Sequence, residues 1–218
     1  MTQRPTAIVY VDGFNLYKSK LEKRGDLKWL NLEALFDQIL PEYSVVKIHF
    51  FTARLKGKAN PEDPGAPDRQ STYLRAVSQL SRVEIHTSNF SVMPGRARLF
   101  QEDVPEPPST WLPVWKVQEK GSDVKLAVQL VLDSLDRKAD CLVVVSNDSD
   151  LSRAIEVATT RFGSKVGVVH PKDSRSTKFA KYPLEFTRFI RISELASSQL
   201  PRVVQTPQHH IVRPSGWK

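Results

Sequence analysis

One cysteine, Cys141, occurs in 218 residues. A single thiol excludes an intrachain disulfide and any cysteine-rich zinc site. Its place in the apolar run CLVVV marks it as a buried, inert side chain. No apolar stretch approaches the roughly 18 residues of a membrane helix, so no membrane partner is expected. The opening MTQRPTAIVYVDG lacks the basic, apolar and cleavage regions of a signal peptide, and a cytoplasmic location is the expectation. Familiar motifs are equally scarce. There is no HExxH, P-loop, GxGxxG or GxSxG, and the 9 glycines are too sparse to cradle a dinucleotide. No RRM or KH signature and no internal repeat is present.

Ordinary globular substance is there instead. Hydrophobic residues make up 40% and charged residues 26%, which excludes wholesale disorder. Lysine and arginine total 32 against 24 acids, a net charge of +8 that favours a polyanionic partner such as nucleic acid. Apolar runs at 7–11 (AIVYV), 45–52, 82–90, 141–145 (CLVVV) and 165–170 read as strands, and TRFIRI at 187–192 as a last edge strand. Helical spacing recurs over 31–40 with Asn31 as N-cap, 71–80, 121–135 and 150–162, the last ended by Gly163. In the 121–135 helix, Val124, Val128, Val131 and Leu135 lie on one stripe. The alternation argues an α/β fold with a largely parallel sheet. Two segments break the rhythm. Residues 91–113 hold prolines 94, 105, 107, 108 and 113 and read as an irregular excursion that leaves room for a short hairpin around Arg96 to Phe100, with a short strand resuming from Pro113 to Val117. Residues 199–218, with three prolines and no acid, read as a flexible basic tail after a domain spanning 1–198.

Ligands of an open parallel sheet bind beyond the carboxyl ends of its strands. Asp12 follows AIVYV, Asp148 and Asp150 follow CLVVV, and Asp123 opens the 121–135 helix. Each has an ordinary explanation as a turn or first-turn acid. Together they would repel: two carboxylates about 4 Å apart cost on the order of 1–4 kcal/mol. Such a cluster persists when cations or protons neutralise it, and an all-oxygen donor set suits Mg²⁺ or Mn²⁺.

The blocks VDGFNLY (11–17), EKGSDVKLAVQLVLD (119–133) and VVVSNDSDLSRAI (143–155) resemble the signature blocks of the NYN domain, a branch of the PIN-like nucleases. The resemblance implies a Rossmann-like α/β/α sandwich with one or two divalent ions held by acids matching Asp12, Asp123, Asp148 and Asp150. It also implies a supporting asparagine at Asn15 and a lysine before the helix at Lys120. One departure is Ser146-Asn147-Asp148, where the family often has small-Gly-Asp. Asparagine tolerates positive φ, so the turn is expected to survive.

The activity implied is metal-assisted phosphodiester hydrolysis, on RNA sooner than DNA. PIN-like domains often self-associate, so a homo-oligomer is an open expectation. An acidic centre needs a basic rim to admit a polyanion. Candidates are Arg54, Lys56 and Lys58 after the 45–52 strand, Lys120, and Lys172, Arg175, Lys178 and Lys181 in a later loop. Phe14, Tyr17, Trp111 and Trp115 offer faces for base stacking, the first two being at least as suited to a core. His209 and His210 read as solvated, and His49, His86 and His170 as core or edge residues. Two alternatives stand beside the nuclease: a non-catalytic RNA- or protein-binding domain, and a metal enzyme acting on a small phosphorylated molecule.

Overall fold

The computed structural model describes residues 3–57, 61–100, 110–174, 176–207 and 209–217. Strands β1 (Thr6–Asp12), β2 (Ser44–Arg54), β3 (Val83–Arg98), β4 (Trp111–Lys120), β5 (Cys141–Val145), β6 (Val166–His170) and β7 (Phe186–Phe189) form one sheet in the order β4-β3-β2-β1-β5-β6-β7. All pairings are parallel except β3 with β4. Helices α1 (Gly13–Leu16), α2 (Leu32–Ile39), α3 (Ala66–Val77), α4 (Ser122–Leu135), α5 (Ser152–Glu156) and α6 (Ile192–Ser197) fill the connections.

β1 and β5 are buried along almost their whole length because both sheet faces are covered, which is why they read as unbroken apolar runs. Side chains alternate between two cores. Ala7, Val9 and Val11 pack with Leu35 and Phe36 of α2 and Leu74 and Val77 of α3. Ile8 and Tyr10 pack with Leu126 and Leu130 of α4 and Ile155 of α5. The result is the expected three-layer α/β/α sandwich. Asn31 caps α2 by accepting from the amides of Glu33 (3.0 Å) and Ala34 (3.1 Å).

Three expectations change. The 91–113 segment is more regular than an excursion with a short hairpin: in its described part β3 and β4 form a long antiparallel ribbon with Pro94 opposite Trp115 and Pro113 opposite Arg96. The ribbon outruns β2, whose last partner is Asn89, so Pro94 and Pro113 lie where proline's missing N–H is tolerated. Prolines 105, 107 and 108 fall outside the described residues.

On α4 the stripe of Val124, Val128 and Leu135 is exposed, and the helix instead buries Leu126, Leu130, Asp133 and Ser134. Two i, i+4 stripes overlap in this sequence. The one that faces the sheet contains an aspartate, required as a hydrogen-bond partner by buried Tyr10.

The C-terminal segment is not a free tail. Strands β8 (Val203–Gln205) and β9 (His210–Val212) pair as a hairpin, with Ile211 buried. Trp217 is 9% exposed and packs edge-on to Trp29 (6.2 Å) and Tyr73 (6.0 Å). Trp29 Nε1 donates to the Pro201 carbonyl at 2.8 Å, which fixes the start of the segment. Large buried aromatics outweigh the chain entropy that a proline-containing segment loses on docking.

Candidate active site

Chain order reverses at β1: the strands run outward through β2 and β3, then restart on the other side with β5, β6 and β7. In an open α/β sheet that switch point opens a crevice at the carboxyl ends. A cleft of about 990 Å³ lies there, and its walls include Asp12, Glu119, Asp123 and Asp148.

Asp12 closes β1 and caps α1. Its Oδ1 accepts from the Asn15 amide (2.9 Å) and its Oδ2 from the Ser146 hydroxyl (2.8 Å). The carboxyl is 4% exposed. Burial raises it to about 6, against the lowering effect of those two hydrogen bonds, and the charges of Asp123 and Glu119 raise it further. The tight entry to α1 depends on Gly13, where a Cβ would meet the Phe51 carbonyl at 2.6 Å and the Phe50 ring at 2.7 Å.

Ser146 joins the second segment to the first, since its hydroxyl accepts from the Asp148 amide (2.9 Å) while donating to Asp12. Asp148 caps the next helical turn through the Asp150 amide (2.9 Å). Asn147 does not supply positive φ; among the described non-glycine residues only Arg137 has it. Its side chain is what matters. Asn147 Oδ1 accepts from the Lys172 amide (2.8 Å), and Nδ2 donates to the Ser174 carbonyl (2.8 Å) and lies 3.1 Å from His170 Nδ1. Its own amide donates to Asn15 Oδ1 (3.2 Å), so Asn15 links both acid-bearing turns. Buried Lys20 holds the same 171–174 loop through Asp173 (2.6 Å).

Asp123 stands in the first turn of α4, after Gly121 in the left-handed region at φ 91. Its side chain reaches solvent, yet partial withdrawal from water raises its carboxyl, and the charges of Asp148 and Asp150 add to this. Asp150 is exposed, acts on Asp123 through its charge, and is not part of the cleft wall. The acid that sequence reasoning missed is Glu119. It is half-buried, accepts from the Ser122 hydroxyl, and is raised by burial and then by Asp123. Its signal was its place in the same EKGSD block, three residues before the serine it accepts from.

The basic residues expected at the rim divide between the exposed surface and positions outside the described residues. Gln70 ties α3 to the end of β2 by donating to the Ala53 carbonyl (2.8 Å) and accepting from the Leu55 amide (2.8 Å). Leu55 therefore faces the cleft, and its exposed neighbours Arg54 and Lys56 are not part of the wall. Lys120 is likewise exposed and outside it. Lys58 and Arg175 lie outside the described residues. Lys172 and Lys178 are exposed beside the acid-bearing turn, with Lys178 Nζ 3.4 Å from Ser149 Oγ. The cations of the cleft wall are Lys18, Lys28 and Arg69. Lys18 pairs with Glu22 and Arg69 with Asp63. Lys28 Nζ sits 5.3 Å from the centre of the Tyr17 ring. Phe14 and Tyr17 are exposed on the cleft wall, whereas Trp111 and Trp115 stand out on the β3–β4 ribbon.

A second cluster lies elsewhere. The ligand atoms of His49, Glu84 and His86 all fall within 4.8 Å of one another, so this group could hold a metal ion. Among the described residues it is the one set of three or more His, Cys, Asp or Glu side chains that does so; no three of the cleft acids do.

A mainly parallel sheet between two helical layers, with acids converging at its switch point, defines a PIN-like domain. The NYN domain family matches residues 6–191, and the chain belongs to it. A relative 30% identical over 96% of this chain and 74% of its own length is the 6-hydroxy-3-succinoylpyridine 3-monooxygenase HspA of Pseudomonas putida (strain DSM 28022 / S16). A crystal structure of a protein of unknown function from Vibrio parahaemolyticus RIMD 2210633 is similar in fold, with TM-score 0.52 and 17% identity over 88% of this chain and 96% of that one. No helix among the described residues is long and apolar enough to cross a membrane.

Proposed function

We propose that this chain is a divalent-metal-dependent nuclease that hydrolyses phosphodiester bonds of single-stranded RNA in the cytoplasm. The observation that carries this is the convergence of Asp12, Glu119, Asp123 and Asp148, from separate chain segments, on one cleft at the switch point. The donor set is carboxylate oxygen throughout, which suits Mg²⁺ or Mn²⁺. Mg²⁺ keeps several waters and takes few direct carboxylates, so it suits a cleft in which no three acids meet within 4.8 Å. Asp12, Asp123 and Asp148 would hold the ion, with Asp150 and Glu119 adding charge around it. When bound, a divalent ion polarises a phosphoryl oxygen and lowers the pKa of a coordinated water.

The chain's own residues do the rest. Asn15 and Ser146 fix the Asp12 carboxylate by hydrogen bonds to each of its oxygens. Phe14 and Tyr17 present ring faces on which bases stack. Lys28 offsets part of the negative charge that a strand brings past the acids, and Lys18 and Arg69 add to it where a phosphate displaces Glu22 or Asp63.

The test is incubation of the purified chain with end-labelled single-stranded RNA and DNA in Mg²⁺, Mn²⁺ or chelator. Expected are chelator-sensitive cleavage of RNA and its loss in Asp148→Asn with the fold intact. Wild-type rates in Asp148→Asn, or no cleavage of either polymer in any metal, sinks the proposal.

A second reading is favoured by the 30% identity to a protein named for a pyridine substrate. The cleft wall carries Phe14, Tyr17, Phe50 and Phe90, and aromatic side chains are a usual lining for small-molecule sites. Saturable binding of 6-hydroxy-3-succinoylpyridine, abolished by filling the cleft with Ala53→Trp, supports that reading over the first.

A further inference from the structure

The cluster of His49, Glu84 and His86 belongs to neither the cleft wall nor its rim. His49 and Glu84 are register partners across β2 and β3, as are Phe51 and His86. Residues two apart share a sheet face, so all three donors project toward α4. His49 Nδ1 and His86 Nε2 are 2.9 Å apart, Glu84 Oε1 is 3.7 Å from His86 Nε2, and Glu84 Oε2 is 3.9 Å from His49 Nδ1. Donors bound to one ion at about 2.0–2.1 Å stand about 3.0–3.4 Å from one another, close to this arrangement.

We propose that His49, His86 and Glu84 form a second metal site, separate from the acid cleft, which takes a divalent first-row transition ion of the Zn²⁺ class. Two imidazoles and one carboxylate prefer such an ion to Mg²⁺.

The surroundings set the ligands in advance. The other nitrogen of His49, Nε2, faces Asp133 Oδ2 at 3.6 Å. Asp133 is buried and held by the Tyr10 hydroxyl (2.8 Å) and Gln129 Nε2 (3.0 Å). The tautomer with its proton on the nitrogen facing this carboxylate would leave the Nδ1 lone pair directed at the cluster, the usual support of a metal-bound histidine. His49 is 6% exposed and stacks on Tyr10 (5.4 Å, 21°), and His86 stacks on Phe51 (4.5 Å, 14°), so neither ring turns freely. Lys47 Nζ holds Glu84 Oε2 at 2.8 Å, leaving Oε1 toward His86. Glu84 is half-exposed, which gives an ion a route in and room for a water as further ligand. The ordinary explanation, a plain hydrogen bond between neutral imidazoles, accounts for the 2.9 Å contact. Asp133 also serves Tyr10 and Glu84 also pairs with Lys47; what the arrangement adds is one carboxylate behind the His49 ring and one in front of both rings.

The test uses the full chain after chelator treatment, with His209→Ala and His210→Ala as background so that the exposed imidazoles of the C-terminal hairpin give no signal. Zn²⁺ is measured by equilibrium dialysis and Co²⁺ by its visible absorption. Expected is one tight equivalent, weakened at least about 10-fold by His86→Ala and by Glu84→Gln, and about 10–100-fold by Asp133→Asn. Asp123→Asn and Asp148→Asn in the cleft should leave it unchanged. His86 and Glu84 both reach solvent, and unaltered circular dichroism of either variant shows that the fold is retained. Zn²⁺ affinity unaffected by His86→Ala and Glu84→Gln, or lost in the cleft variants instead, overturns the proposal.

Discussion

Replacing Asp12 by asparagine should make the metal-free protein more stable at neutral pH, although Asp12 lies at the centre of the candidate active site. Burial, with Asp123 and Glu119 nearby, lifts its carboxyl from the ordinary 3.8 to about 6. A folded-state pKa above the unfolded value means that folding favours the protonated form. The stabilisation due to that proton is fully present below 3.8 and is lost as pH rises through about 6. Above that range the ionised group costs the fold about 3 kcal/mol. Asparagine carries no charge at any pH and keeps an oxygen for the Asn15 amide, while its NH₂ donates to Ser146 Oγ in place of the bond it now accepts.

The variant should therefore melt roughly 6–12 °C above wild type at pH 8 for a chain of this size. At pH 5 wild type recovers about half of the cost, so the gain should halve. The assay is thermal unfolding in chelator at both pH values, followed by titration with Mg²⁺. Wild type should gain stability from the ion and Asp12→Asn much less, because the ion requires the ionised carboxylate. An Asp12→Asn gain that is absent at pH 8, or equal at pH 5 and pH 8, refutes the claim that burial and neighbouring acids strain this carboxylate.

Two further outcomes follow from the packing. Asn147→Ala removes the bonds to the Lys172 amide and the Ser174 carbonyl and should cost about 1–2 kcal/mol. Trypsin cleavage after Lys172 should accelerate, and an unchanged rate shows that the Lys20–Asp173 pair alone fixes the loop. Trp217→Ala empties the space between Trp29 and Tyr73 and should cost about 3 kcal/mol. Truncation after residue 198 should lower the melting temperature at least as much, and an unchanged melting temperature in both returns the segment to a free tail.

The features that could be read from the sequence are those specified by neighbours along the chain. AIVYV and CLVVV announced central strands because each is apolar on both faces, and the strand-end rule put Asp12 and Asp148, though not Asp150, on the cleft wall. Asn31 and Gly163 marked helix boundaries through local backbone chemistry. Where the deciding partner lies far along the chain, the sequence reading erred. The inward stripe of α4 was chosen by Tyr10, more than a hundred residues earlier, which needs Asp133. The C-terminal segment docks because Trp29 and Tyr73 receive Trp217, and short apolar pairs in a proline-containing stretch carry no sign of that. Asn147 was expected to act through its backbone and acts instead through side-chain bonds to a loop more than twenty residues away.

The three histidine-cluster ligands show the same limit most sharply. His49 on one strand and Glu84 and His86 on the next look like ordinary alternating strand residues, and a shift of one position in the β2–β3 register would put them on opposite faces. The register here is fixed by apolar residues of the opposite face, Ile48 and Phe50 on β2 against Val83 and Ile85 on β3, which pack into the core beneath. Core packing on one side of the sheet therefore determines which polar groups meet on the other. A substitution such as Ile85→Lys should disturb the histidine cluster without touching any of its members.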